Sequence, residues 1–192
     1  FIAGEKITKD VNPSHGSIQA LKTRDTRLTI FCEDKVLKAV TNRDALYNAD
    51  GNPQLVASNA VVGDVTTYLG DFGISTNPES LATTPTNMYF TDAMRGKVLA
   101  LSGEGVRPIS DVGMKDYFAD AMDRYVDKAV GTYDERKKQY NITLQKKYNS
   151  AQFIPHEVST VSYSENSKGW SSFKTFHTTV QAANPAMIRP LE

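Results

Sequence analysis

Several carboxylates sit where a substrate-cleaving or cation-binding site could gather them. Glu33, Asp92 and Asp134 each close a β-prone run and precede a turn. Glu165 opens a further turn, five residues ahead of Trp170. Two such groups across one cleft supply the acid and the nucleophile or base of glycoside cleavage. An aromatic face beside them, Trp170 or Tyr133, would pack on a sugar ring. The candidate glycan contact is therefore Trp170, Tyr133, Asp92 and Asp134. Turn chemistry offers a plainer account, since an aspartate ahead of a turn accepts the turn's own backbone N–H groups. That reading needs no substrate, and it is the one we favour. Trp170 likewise follows a glycine turn, where an indole more often packs across the strands.

Other chemistry has less to stand on. His15, His156 and His177 are far apart and follow no metal-ligand spacing, so neither a metal nor a cofactor is expected. No Gly-x-Ser-x-Gly elbow marks a nucleophile. Gly70-Asp71-Phe72-Gly73 lacks the Lys-Ser/Thr ending and the following helix of a phosphate loop. Cys32 is the single cysteine, which excludes an internal disulfide, and its β-prone setting suits a small buried side chain. Twenty-two basic and 22 acidic residues cancel, so no electrostatic footprint for nucleic acid or an anionic membrane is expected. The densest basic stretch, Arg136-Lys137-Lys138 with Lys146-Lys147, flanks one predicted hairpin and reads as a solvated hairpin end. No apolar run approaches the roughly 18 residues that span a bilayer.

These groups are carried by a repeating unit: a β-prone run, an aromatic and an acid, a tight turn, and a second β-prone run. It recurs as Leu28–Glu33 with Lys35–Val40, Met88–Asp92 with Lys97–Leu101, Val130–Asp134 with Gln139–Leu144, and Val158–Tyr163 with Trp170–Phe176. Recurring hairpins of this kind write propellers and related all-β arrays. Ile18 and Ala20, Leu55–Thr67 and Val106–Ile109 add weaker strands, and Asp50-Gly51-Asn52-Pro53 reads as a turn. One helix is predicted over about 114–130, with Ser110 or Asp111 as N-cap. Its apolar stripe is Met114, Tyr117, Phe118, Ala121, Met122, Tyr125, Val126 and Ala129. Tyr68–Thr86, rich in Gly, Ser, Thr, Asn and Pro, reads as a long loop available for contact.

The expected organisation is a lead-in segment (1–22), a β-hairpin array with an inserted helix (23–180) and an extended tail (181–192). The fold class is mainly β, a propeller-like array of antiparallel hairpins with one amphipathic helix. Nine or ten strands are expected from the β-prone runs, and a propeller takes at least four blades of four strands. The chain, which starts at Phe1 and stops at Glu192, is thus expected to be a fragment of a longer polypeptide. Its other segments, or neighbouring subunits, would complete the sheet edges.

One resemblance sharpens this. Tyr68–Ala82, Tyr89–Ser102 and Pro108–Phe118 are similar to a stretch in large virion structural proteins of tailed bacteriophages. Crass-like phages, where such proteins belong to the tail and its muzzle, are in particular the group it resembles. The similarity returns in Gly169–Lys174, covers 130–176 loosely and hardly touches the first 67 residues. It implies a structural component of the virion tail, acting through subunit interfaces in a symmetric assembly. Its partners would be other copies of itself, other tail proteins and the rest of the parent polypeptide. The resemblance brings no catalytic residues, so an enzyme is not expected. The alternative is a glycan-binding or glycan-cleaving propeller of the same tail. It needs Asp92, Asp134 or Glu165 facing a common cleft with Trp170 or Tyr133.

Overall fold

In a computed structural model, which describes residues 8–24, 27–47, 53–146 and 158–174, the hairpins assemble into three four-stranded antiparallel sheets. Each sheet is a meander whose strands lie in chain order. The first holds β1 (Ile18–Arg24), β2 (Arg27–Cys32), β3 (Val36–Tyr47) and β4 (Pro53–Thr67). The second holds β5 (Ala82–Thr83), β6 (Met88–Asp92), β7 (Lys97–Ser102) and β8 (Gly105–Pro108). The third holds β9 (Val126–Asp134), β10 (Gln139–Lys146), β11 (Val158–Ser164) and β12 (Gly169–Lys174). A single helix among the described residues, α1 (Lys115–Tyr125), links the second sheet to the third. The expected turn at Asp50-Gly51-Asn52, His156, His177, Lys147 and the tail 181–192 lie outside the described residues.

The second sheet is the middle layer, and strand alternation explains why. Side chains one apart point to opposite faces. Met88, Phe90, Leu99 and Leu101 meet Phe31, Val36 and Ile74 on the side of the first sheet. Phe31 and Phe90 touch edge to face, with ring centroids 5.1 Å apart. Tyr89, Val98 and Ala100 meet Tyr140, Ile142, Leu144, Val161 and Tyr163 of the third sheet, together with Phe118 and Met122 of α1. All five residues of β6 are buried. A strand covered on both faces has no polar side to show, so it reads as a near-continuous apolar run. The outer face of the first sheet carries a smaller cluster of Ile30, Cys32 and Leu37, with Val11 of the lead-in packed against it.

Three expectations change. The helix stops at Tyr125, not near residue 130. Val126–Val130 fit the helical spacing, but they pair with β10, Ala129 opposite Leu144 and Val130 opposite Thr143. Ladder bonds to an existing sheet outweigh one more turn of helix, and Ala129 is buried either way. Neither expected N-cap caps by its side chain. The Ser110 hydroxyl is buried without a partner, and the Asp111 carboxylate pairs with Lys97.

The long loop is an internal strut more than a free contact surface. Ile74 N–H donates to Cys32 O and Ser75 N–H to Glu33 O, both at 3.0 Å. A 3-10 turn at Pro78–Ser80 and strand β5 continue it, and Ile74, Ser75, Asn77 and Ser80 are buried. A polar loop fits between sheets because its backbone groups find partners there.

Candidate functional site

Asp92 ends β6 with its side chain fully buried. One oxygen accepts from Ser75 Oγ (3.0 Å) and Arg95 N (3.1 Å), the other from Gly73 N (3.1 Å) and Arg95 Nη1 (2.9 Å). A buried charge costs several kcal/mol unless paired and hydrogen-bonded, and here every lone-pair direction is engaged. Arg95 also reaches Asp34 at 3.4 Å, in the β2–β3 turn. One carboxylate thereby fastens the β6–β7 turn, the strut and, through Arg95, the first sheet. Gly73 is required at this crossing, because a Cβ there would stand 1.9 Å from Glu33 O.

Glu165, at the β11–β12 turn, is the centre of a second cluster. Its Oε1 accepts from Asn87 Nδ2 (3.0 Å) and from the Tyr89 hydroxyl, and its Oε2 accepts from the Tyr133 hydroxyl (2.7 Å). Burial works against its charge, but the Tyr89, Tyr133 and Asn87 bonds outweigh burial and hold the carboxyl below its usual range. Burial first, then the bond to Glu165, pushes the Tyr89 and Tyr133 phenols up. Tyr89 stacks on Tyr133 (centroids 6.0 Å, planes 7° apart) and on Tyr140 (5.0 Å, 19°). Tyr140 donates to Ser80 O at 2.8 Å, which closes the cluster onto the strut.

Tyr133 therefore meets Glu165, while the other expected contacts go elsewhere. Asp134 accepts from Arg136 N (3.0 Å) and Lys137 N (3.1 Å) and closes the β9–β10 turn. Trp170 donates from Nε1 to Ile109 O (3.1 Å) and packs on Phe118 (4.6 Å) and Tyr163 (5.4 Å). Glu33 accepts from Ser17 Oγ and from Gln19 Nε2 (3.2 Å). Asp92 and Asp134 thus lie at turns of different sheets. Among the described residues, no group of three or more His, Cys, Asp or Glu is placed to hold a metal ion. Burial pushes the Cys32 thiol up, away from the reactive thiolate.

Sequence reasoning missed Tyr89, Asn87, Ser75 and Gly73. Only Gly73, a glycine in a loop with no evident turn to make, carried a signal of close backbone approach.

What this arrangement does chemically is hold sheets together, since each carboxylate named above is occupied by the protein's own donors. A search of curated proteins finds no match. The family model described as Crassvirus muzzle protein matches residues 7–186, a span that contains all three sheets and the helix. The tyrosine cluster, the Asp92 junction and the twelve described strands all fall within that match, and the chain belongs to the Crassvirus muzzle protein family.

Proposed function

We propose that this virion component of a crass-like phage works as a static building block of the tail, with no catalytic role. It acts through interfaces with other copies of itself and with other tail proteins in a symmetric assembly. One observation carries the reading: apolar side chains stand in solvent on the outer strands, while polar groups suited to chemistry are spent inside. Ile18 and Leu21 on β1 are 49% and 54% exposed, and Phe173 on β12 is 65% exposed. Both strands are sheet edges with open backbone donors and acceptors. Large apolar side chains exposed on an open sheet edge suit association with a further surface.

The three meanders follow one another as propeller blades do, and a closed propeller takes at least four. The propeller-like array is completed by neighbouring subunits or by further segments of the parent polypeptide. Sedimentation velocity of the purified chain tests the proposal. Association in the micromolar range is expected, and a stable monomer at every concentration would refute it.

A further inference from the structure

Two groups of exposed charges that the internal network leaves out lie toward different ends of the third sheet. The turns 135–138 and 165–168 lie side by side, with Glu165 N–H donating to Lys138 O at 3.0 Å. They hold Arg136, Lys137, Lys138 and Lys168 in solvent. Among the described residues, Arg136, Lys137 and Lys168 form no ion pair. Of the carboxylates nearby, Asp134 closes its own turn and Glu165 is taken by the tyrosines, which leaves Glu135 as the exposed anion.

At the other end, α1 exposes Asp116 and Asp120 one turn apart, without ion pairs among the described residues and with Lys115 beside them. Tyr117 fixes where that face lies, its hydroxyl 3.3 Å from Ser159 Oγ at the start of β11. Ser159 stands six residues before Glu165, about 20 Å of strand. No ion pair joins the two clusters among the described residues.

Both clusters also run against local preference. Lys138 and Lys168 take left-handed backbone (φ 53° and 50°) at the turn position where the β6–β7 hairpin uses Gly96 (φ 61°). Left-handed φ is costly for a side chain with a Cβ. Aspartates four apart on a helix repel each other, and only Asp116, in the first turn, is favoured by the helix dipole. No ion pair among the described residues offsets these choices, a pattern expected where a surface meets something else.

We propose that the cationic turn pair of one copy docks on the Asp116–Asp120 face of α1 in a second copy. Because the surfaces differ and lie toward different ends, the contact is head to tail, and each copy offers one surface to each of two neighbours. This rests on the building-block reading and names its surfaces. Nucleic acid fits the turns less well, since no aromatic in either turn is available to stack on bases and Glu135 sits among the cations.

The full chain with K137E/K168E, the chain with D116K/D120K, and an equimolar mixture of the two decide the matter by sedimentation velocity. Circular dichroism melts confirm folding, with K137Q/K168Q and D116N/D120N as milder replacements. Each double variant is expected to associate at least about tenfold more weakly than the natural chain, and the mixture to recover association. Association of the natural chain should fall between about 50 mM and about 500 mM salt.

Folded variants that associate like the natural chain, or a mixture that recovers nothing, overturn the docking and leave the building-block reading intact. A K137E/K168E chain that loses a single-stranded DNA oligonucleotide but keeps its association overturns it in favour of nucleic acid. A natural chain that is monomeric at every salt overturns both.

Discussion

At the scale of single residues, the carboxylates show how one side-chain type takes on different work. Asp134 stays at its own turn and accepts two N–H groups within three residues, a local pattern that turn chemistry anticipates. Asp92 accepts from its own turn as well, but its Gly73 and Ser75 bonds come from a loop 17 to 19 residues earlier. Glu165 gathers donors from 76 and 78 residues away, and no local pattern points to them. This cluster has a consequence for pH. A carboxyl held below its usual range in the folded state stabilises the fold at pH values above its unfolded pKa, about 4.3. That stability is lost as pH falls through the lower, folded value. Thermal melts should show the natural chain losing more stability than Glu165→Gln between about pH 5 and about pH 3. Equal losses in the two chains would mean that the tyrosine bonds contribute nothing to folding. The raised phenols of Tyr89 and Tyr133 act in the opposite sense, supporting the fold until pH climbs well into the alkaline range.

At the scale of elements, the four repeated hairpins were legible because alternation, an acid and a turn coincide in each, and β2–β3, β6–β7, β9–β10 and β11–β12 form there. The helix was legible in position but not in extent. Val126 and Ala129 satisfy a helical stripe and a strand ladder equally, and only β10 alongside decides between them. The strut reads as surface because its composition is polar. What composition cannot show is that Ser80 O receives the Tyr140 hydroxyl and Asn77 Oδ1 receives Ala129 N–H, each bond reaching more than 50 residues along the chain. Strut and third sheet cross tightly at Gly131, where an added Cβ would stand 1.9 Å from Ser80 O and 2.8 Å from the Tyr140 hydroxyl. Gly131→Ala must push the strut and β9 apart, and overpacking of this kind costs about 1–3 kcal/mol. Urea unfolding should show a midpoint shift of that size, whereas Gly103→Ala, whose Cβ would meet nothing within 4 Å, should shift it far less.

At the scale of the whole molecule, the layers place the apolar edge and the charged ends on different surfaces. The first and third sheets flank the second, and packed sheets stand about 10 Å apart, so β1 and the third sheet are separated by about 20 Å. Ile18 and Leu21 lie opposite Cys32 and Ile30 in the ladder, on the outer face of the first sheet. Burying a large aliphatic side chain is worth about 1.5–3 kcal/mol, and these two start half-exposed. If an interface covers them, I18K/L21K should weaken association by about tenfold or more. That loss should persist at high salt, because desolvation of apolar surface is not screened. Substitutions so far apart with no shared partner add within about 0.5 kcal/mol. Combining I18K/L21K with K137E/K168E should therefore multiply the two losses in sedimentation experiments. A combined loss no larger than either alone would place both surfaces in one contact. The assembly would then be held by a single composite interface, with the apolar edge of one copy reaching the same neighbour as its cationic turns.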